Sequence, residues 1–116
     1  MHKRITFRHM NHSDPMEDHV NKQLGKIERF LEHEPTPISI DIILEASKVR
    51  EHPRAELRLK TPHHDLITHY EHNGVDLYAA IDHVIDQMYE LLRKAKDKEI
   101  EKKRHRGRHE DFKKQR

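Results

Sequence analysis

Residues 75–108 read VDLYAAIDHVIDQMYELLRKAKDKEIEKKRHRGR, and the reading of this stretch decides the fold. Leu77, Ile81, Val84, Ile85, Met88, Leu91, Leu92 and Ala95 recur at three- and four-residue spacing. At 100° per residue they gather on one broad face, the pattern of an amphipathic helix. From Arg93 the apolar marks thin out and the charge changes sign, through Lys94, Lys96, Lys98, Lys102, Lys103, Arg104, Arg106 and Arg108. A rise of about 1.5 Å per residue makes Leu77 to Arg104 a rod of roughly 40 Å, longer than a small domain is wide. One end should lie on a core while the other projects from it, carrying cations.

Outward from this helix, the rest of the chain supplies the core it needs. His2 to His9 reads as a strand, with Ile5 and Phe7 on one face and Arg4, Thr6 and Arg8 on the other. Asn11 to Pro15 forms a turn and a helix start, with Ser13 or Asp14 as N-cap and Pro15 where its missing N–H costs nothing. The spacing predicts a helix to about His33, burying Met16, Val20, Leu24, Ile27 and Leu31, with Phe30 at the border. Pro35 and Pro37 end it. Ile38 to Glu45 and Arg54 to Lys60 alternate as strands, joined by a charged hairpin connection, and Leu66 to Glu71 is a fourth strand with weaker alternation. Asn73-Gly74 breaks the strand before the long helix. The order is β-α-β-β-β-α, an α+β fold in which a four-stranded sheet carries two helices on one face. Residues 1–104 form the domain, and 105–116 are expected to be a basic, disordered C-terminal tail.

Length and composition agree with a single domain on a thin core: 116 residues, 33% hydrophobic and 38% charged. The absence of Cys excludes a disulfide framework and thiolate chemistry. No apolar run has the length of a signal peptide core or a membrane span, so a cytoplasmic protein is expected. The net charge of +2 hides an asymmetry. Residues 93–116 hold 12 Lys or Arg against 5 Asp or Glu, a balance of +7, while the other 92 residues hold 11 against 16, a balance of −5. An acidic body with a basic end suits a protein that grips nucleic acid, although a basic end can also serve solubility alone.

The helix cations sharpen this. Lys22, Lys26, Arg29 and His33 fall on the outer side of the first helix. If the helices lie side by side, this ridge and Arg93, Lys94 and Lys96 make one strip for phosphates, strong, salt-sensitive and blind to sequence. The alternative is an ordinary solvated surface. Asp82, Asp86 and Glu90 crowd the outer face of the second helix, so any footprint must avoid or tolerate them.

Thirteen histidines invite a metal reading, with His63, His64, His69 and His72 close in sequence and His105 and His109 at i, i+4. They are spread along the chain without an H-E-x-x-H pattern, so no metal site and no cofactor are expected. No Ser-His-Asp or Cys-His arrangement can be drawn, and the three glycines make no phosphate loop. An enzyme with a small-molecule substrate is not expected.

Ile5-Thr6-Phe7-Arg8-His9, then Leu24-Gly25-Lys26-Ile27-Glu28-Arg29-Phe30, and above all Asp76-Leu77-Tyr78-Ala79-Ala80-Ile81-Asp82 resemble the bacterial ribosome hibernation-promoting factors. That family includes the ribosome-associated inhibitor and was formerly called sigma-54 modulation protein. The resemblance covers roughly residues 3–100, and the third phrase is the specific one. It implies a β-α-β-β-β-α fold similar to double-stranded RNA-binding domains. It also implies binding to the small ribosomal subunit in the mRNA and tRNA channel, blocking initiation in resting cells. The family's rRNA contacts, carried over by position, fall on Lys22, Lys26 and Arg29, on Arg93, Lys94 and Lys96, and on Arg8. Phe7 stands where the family pattern has Gly, and Gln87 and Glu90 where it has Lys and Arg, which weakens the middle of the second-helix contact. The chain resembles the short type, a monomer when free. Two other readings stay open: a module for any structured RNA, and a protein-interaction or metal-responsive module using the histidines.

Overall fold

The computed structural model describes residues 1–46, 53–72 and 74–114, with side chains as far as Glu101. The elements follow in the order β1 (His2–Arg8), α1 (Asp14–Phe30), β2 (Ser39–Ala46), β3 (Pro53–Lys60), β4 (Asp65–Glu71) and α2 (Leu77–Lys114). The strands form one sheet in the order β1-β2-β3-β4, in which β1 runs parallel to β2 and the other pairs are antiparallel. The parallel pair follows from α1, a crossover helix that returns the chain to the end of the sheet from which β1 started. The charged connection expected between β2 and β3 lies outside the described residues.

One face of the sheet is apolar and both helices cover it. Ile40, Ile42 and Leu44 of β2 and Ala55, Leu57 and Leu59 of β3 are fully buried by their strands' two-residue alternation. Val20, Leu24, Ile27 and Leu31 descend from the α1 side, and Ile81, Val84, Ile85, Met88 and Leu92 from α2. Each large aliphatic side chain removed from water contributes about 1.5–3 kcal/mol, which is why the sheet and helices are stable only together. Ile5 and Phe7 of β1 pack against this core from the sheet edge and stay partly open.

Strand β4 explains its own weak alternation. Its inward positions are Leu66, Thr68 and Tyr70, and the buried Thr68 hydroxyl donates to the carbonyl of Val84 in α2 at 2.9 Å. A polar residue therefore stands where periodicity asks for an apolar one, satisfied by the helix above it. The outward position beside it holds Ile67, which is exposed.

Helix α1 starts on Ser13, whose side chain accepts from the Met16 amide at 3.3 Å. Its regular part stops at Phe30 rather than near His33. Leu31 leaves the helix at φ −90° and ψ 3°, its N–H still donating to Ile27 O, and Glu32 and Glu34 follow with three-residue turns. Pro35 disfavours helical geometry in the residue before it, so the chain tightens and ends. Helix α2 begins at Leu77, two residues later than expected, where the Asp76 side chain accepts from the Ala79 amide at 2.8 Å and Gly74 takes a positive φ of 83°. Leu91 departs from the expected stripe: it is exposed because it sits at the margin of the apolar arc, beyond the sheet edge and beside Ile67. The backbone of α2 continues to Lys114. The side chains of the expected tail, 105–116, lie outside the described residues.

Candidate nucleic-acid interface

The two helices run side by side in the same direction, and the seam between them is polar above and apolar below. His19 of α1 reaches Asp82 and packs edge-on against Tyr78, with centroids 5.2 Å apart. About two turns further along α1, Lys26 pairs with Asp86 and lies 5.3 Å from the Tyr89 ring. Phe30 then meets Tyr89 edge-on at 5.8 Å, and the Lys96 ammonium sits 5.1 Å from the Phe30 ring. The three aromatic rings thus fix the heights at which α1 and α2 face each other.

This geometry sorts the candidate cations. Lys22 and Arg29 stand on the outer side of α1, exposed and without an ion pair among the described residues. Lys26 is half-buried and engaged with Asp86. Arg93 is exposed and donates to Glu90 Oε1 at 3.1 Å, and Lys96 lies across Phe30. Lys26 and Lys96 reach across the seam, Arg93 stands next to it on α2, and Lys22 and Arg29 face outward on α1. Lys94 does not join them: two residues apart on a helix means roughly 200° of rotation, so Lys94 turns to the other side of α2. There it lines a shallow groove against Ile67 and His69 of β4.

Arg8 is further away still. It lies on the outer face of the sheet, the face without helices, across from Glu45 in register. Signs alternate along that face: Arg4, Asp41 and Arg58 form one cross-strand row and Arg8, Glu45, Arg54 and Glu71 another, with Thr6, Ile43, Glu56 and His69 between them. Arg54 lies 3.7 Å from Glu71 and 3.8 Å from Glu56. Such a surface neutralises itself, whereas Lys22 and Arg29 leave positive charge unanswered on the helix side.

The acidic residues of α2 form a row at i, i+4 and i+8: Asp82, Asp86 and Glu90. Each has a partner: His19 Nε2 at 2.8 Å, Lys26, and Arg93 at 3.1 Å. All three pairs are substantially open to water, so each contributes at most about 1 kcal/mol to stability.

Reading by residue type missed one cluster. His12, Asp14 and Glu17 at the start of α1 bring their ligand atoms within 4.8 Å of one another, with the imidazole 2.8 Å from Asp14 and 2.9 Å from Glu17. The pattern His-x-Asp-x-x-Glu across a helix start was the available signal. Among the described residues the sequence-adjacent histidines 63, 64, 69 and 72 form no such group. Nor is any described helix long and apolar enough to cross a membrane.

Comparison with known proteins agrees with this architecture. The profile of the family described as "Sigma 54 modulation protein / S30EA ribosomal protein" matches residues 4–100. A "Ribosome hibernation promoting factor" of Pseudomonas putida is 27% identical over 99 residues, covering 85% of this chain and 90% of that protein. One of the same name from Azotobacter vinelandii is 28% identical over 102 residues, covering 88% and 89%. Among solved structures, the N-terminal domain of Thermus thermophilus Protein Y superposes with a TM-score of 0.65 at 25% identity, over 81% of this chain and 98% of that one. A ribosomal subunit interface protein from Coxiella burnetii gives a TM-score of 0.65 at 20% identity, over 84% and 99%, and shows the same fold.

Proposed function

We propose that this chain, which belongs to the Sigma 54 modulation protein / S30EA ribosomal protein family, is a ribosome-associated hibernation factor that holds translation off in resting or stressed cells. It acts without catalysis. Its helix side lodges in the mRNA and tRNA channel of the small subunit, where Lys22, Lys26 and Arg29 of α1 and Arg93 and Lys96 of α2 meet phosphates of ribosomal RNA. Lys94 and Arg8 serve contacts on other sides of the body. The factor works in the cytoplasm, as a monomer until it binds. The observation that carries this reading is the pair Lys22 and Arg29 on the outer side of α1, exposed and without carboxylate partners among the described residues. The names of the relatives supply the ribosome. Charge provides affinity, and the shape of the two-helix face provides selectivity, because structured RNA is read mostly through its backbone and form.

A second reading, a module for any structured RNA, draws on the same two cations, which have no geometry that would read a base. Co-sedimentation with purified small subunits at rising salt separates the two. The hibernation reading expects retention in dilute buffer, loss at high salt, and preference over an unrelated RNA duplex. Replacing Lys22, Lys26 and Arg29 together by Glu should weaken retention by tenfold or more and flatten the salt dependence by about 2.7, roughly 0.9 for each phosphate contact. Equal retention of the triple variant overturns the proposed face.

A further inference from the structure

The carboxylate row on α2 has no place in a surface built simply to attract phosphate. Asp82, Asp86 and Glu90 lie along the helix that borders the basic ridge, and Asp86 and Glu90 keep most of their side chains in water, 65% and 55% exposed. They are therefore not buried counter-charges that the core requires. Yet they occupy two of the cations on which polyanion binding would draw: Lys26 is committed to Asp86 and Arg93 to Glu90. A phosphate approaching Lys26 meets a carboxylate already in place and is repelled by it. The Tyr89 ring under the Lys26 ammonium holds that ammonium toward α2 rather than toward solvent.

We propose that Asp86, with Glu90 in support, is a specificity-determining residue: it withholds Lys26 from polyanions in general. The inference rests on the RNA-binding reading above and deepens it. Any duplex can dock on Lys22 and Arg29, but taking Lys26 and Arg93 means displacing two carboxylates. A loosely docked duplex makes too few contacts to offset that displacement. A rigid site complementary to the whole two-helix face engages Lys22, Arg29, Lys96 and the end of α2 at once, and the exchange of partners at Lys26 becomes favourable. The row thus lowers affinity for the many wrong RNAs more than for the right one, as discrimination requires.

The test compares the full chain with Asp86→Asn, Glu90→Gln and the double variant Asp86→Asn with Lys26→Ala. Each is titrated with purified small subunits and with a 20-base-pair RNA duplex of arbitrary sequence. Asp86→Asn should bind the duplex about fivefold tighter in dilute buffer, with a salt slope steeper by about 0.9, one added phosphate contact. Affinity for small subunits should rise less, so that the ratio between the two targets falls. Glu90→Gln should give a smaller change in the same direction. The gain of Asp86→Asn should vanish when Lys26 is Ala. Unchanged duplex affinity in Asp86→Asn overturns the proposal, and so does a gain that survives Lys26→Ala, which would reflect net charge alone. If the parent chain ignores small subunits, the ribosomal reading fails on that arm, while the duplex arm still decides the role of Asp86. Matching melting curves of the four chains confirm that the comparison concerns binding.

Discussion

The two halves of α2 share a backbone and differ in what keeps them helical. From Leu77 to Leu92 the helix buries Leu77, Ala80, Ile81, Val84, Ile85, Met88 and Leu92 against the sheet and α1. From Arg93 to Glu101 no side chain is buried, Ala95 is partly covered, and the others, Ile100 at 40% among them, are exposed. The first half is specified by tertiary burial, and would be marginal without the sheet. The second is specified locally, by runs of Lys, Glu, Ala and Arg, which are good helix formers. His64 adds one tether, 3.8 Å from Glu99, joining this half to the turn between β3 and β4. Stability and the proposed binding should therefore be separable along one helix, and substitutions can show where the division falls.

The largest effect is expected at Ile81, fully buried between sheet and helices. Ile81→Asp buries a charge with no partner and should abolish the cooperative thermal transition. A folded, cooperatively melting variant would mean that the first half of α2 does not carry the core. Next come two neighbours, Leu92, buried, and Leu91, 37% exposed. Leu92→Ala should cost about 2–4 kcal/mol in denaturant unfolding, and Leu91→Ala less than about 1 kcal/mol. Equal costs would move the boundary of the core past the edge of the sheet. The smallest change in stability is expected from replacing Arg93, Lys94 and Lys98 together by Gln. Since these cations are exposed, the midpoint should shift by less than about 1 kcal/mol while small-subunit retention falls. A large loss of stability here would show that the second half is structural after all.

The fold was legible in the sequence because two periods do not mimic each other. Ile38, Ile40, Ile42 and Leu44 alternate, while Ile81, Val84, Ile85, Met88 and Leu92 step by three and four, and each pattern has one structural solution. Where the pattern blurred, a specific interaction had replaced it. Thr68 takes an inward position because Val84 O accepts its hydroxyl hydrogen bond. The parallel pairing of β1 with β2 leaves no trace in periodicity, since either neighbour would bury Ile5 and Phe7 equally well. The candidate interface was legible only in part. Spacing on α1 separates outer from inner residues, but it does not tell Lys22, which pairs with no described carboxylate, from Lys26, which α2 claims. Lys94 and Lys96 look alike in a charge run and turn to opposite sides of the helix. Arg8 reads as a cation near the end of a strand, and only the layer order reveals that its face is the one the helices leave bare.

The length of α2 has a further consequence for how the molecule meets its target. The structure extends 67 Å along its longest axis and only 27 and 18 Å across. At physiological ionic strength a charge is felt over only about 8 Å. The positive terminus and the negative remainder therefore do not cancel in solution, even though the chain as a whole is nearly neutral. To an approaching polyanion the molecule is a dipole, drawn in by its basic end and turned during diffusion so that this end touches first.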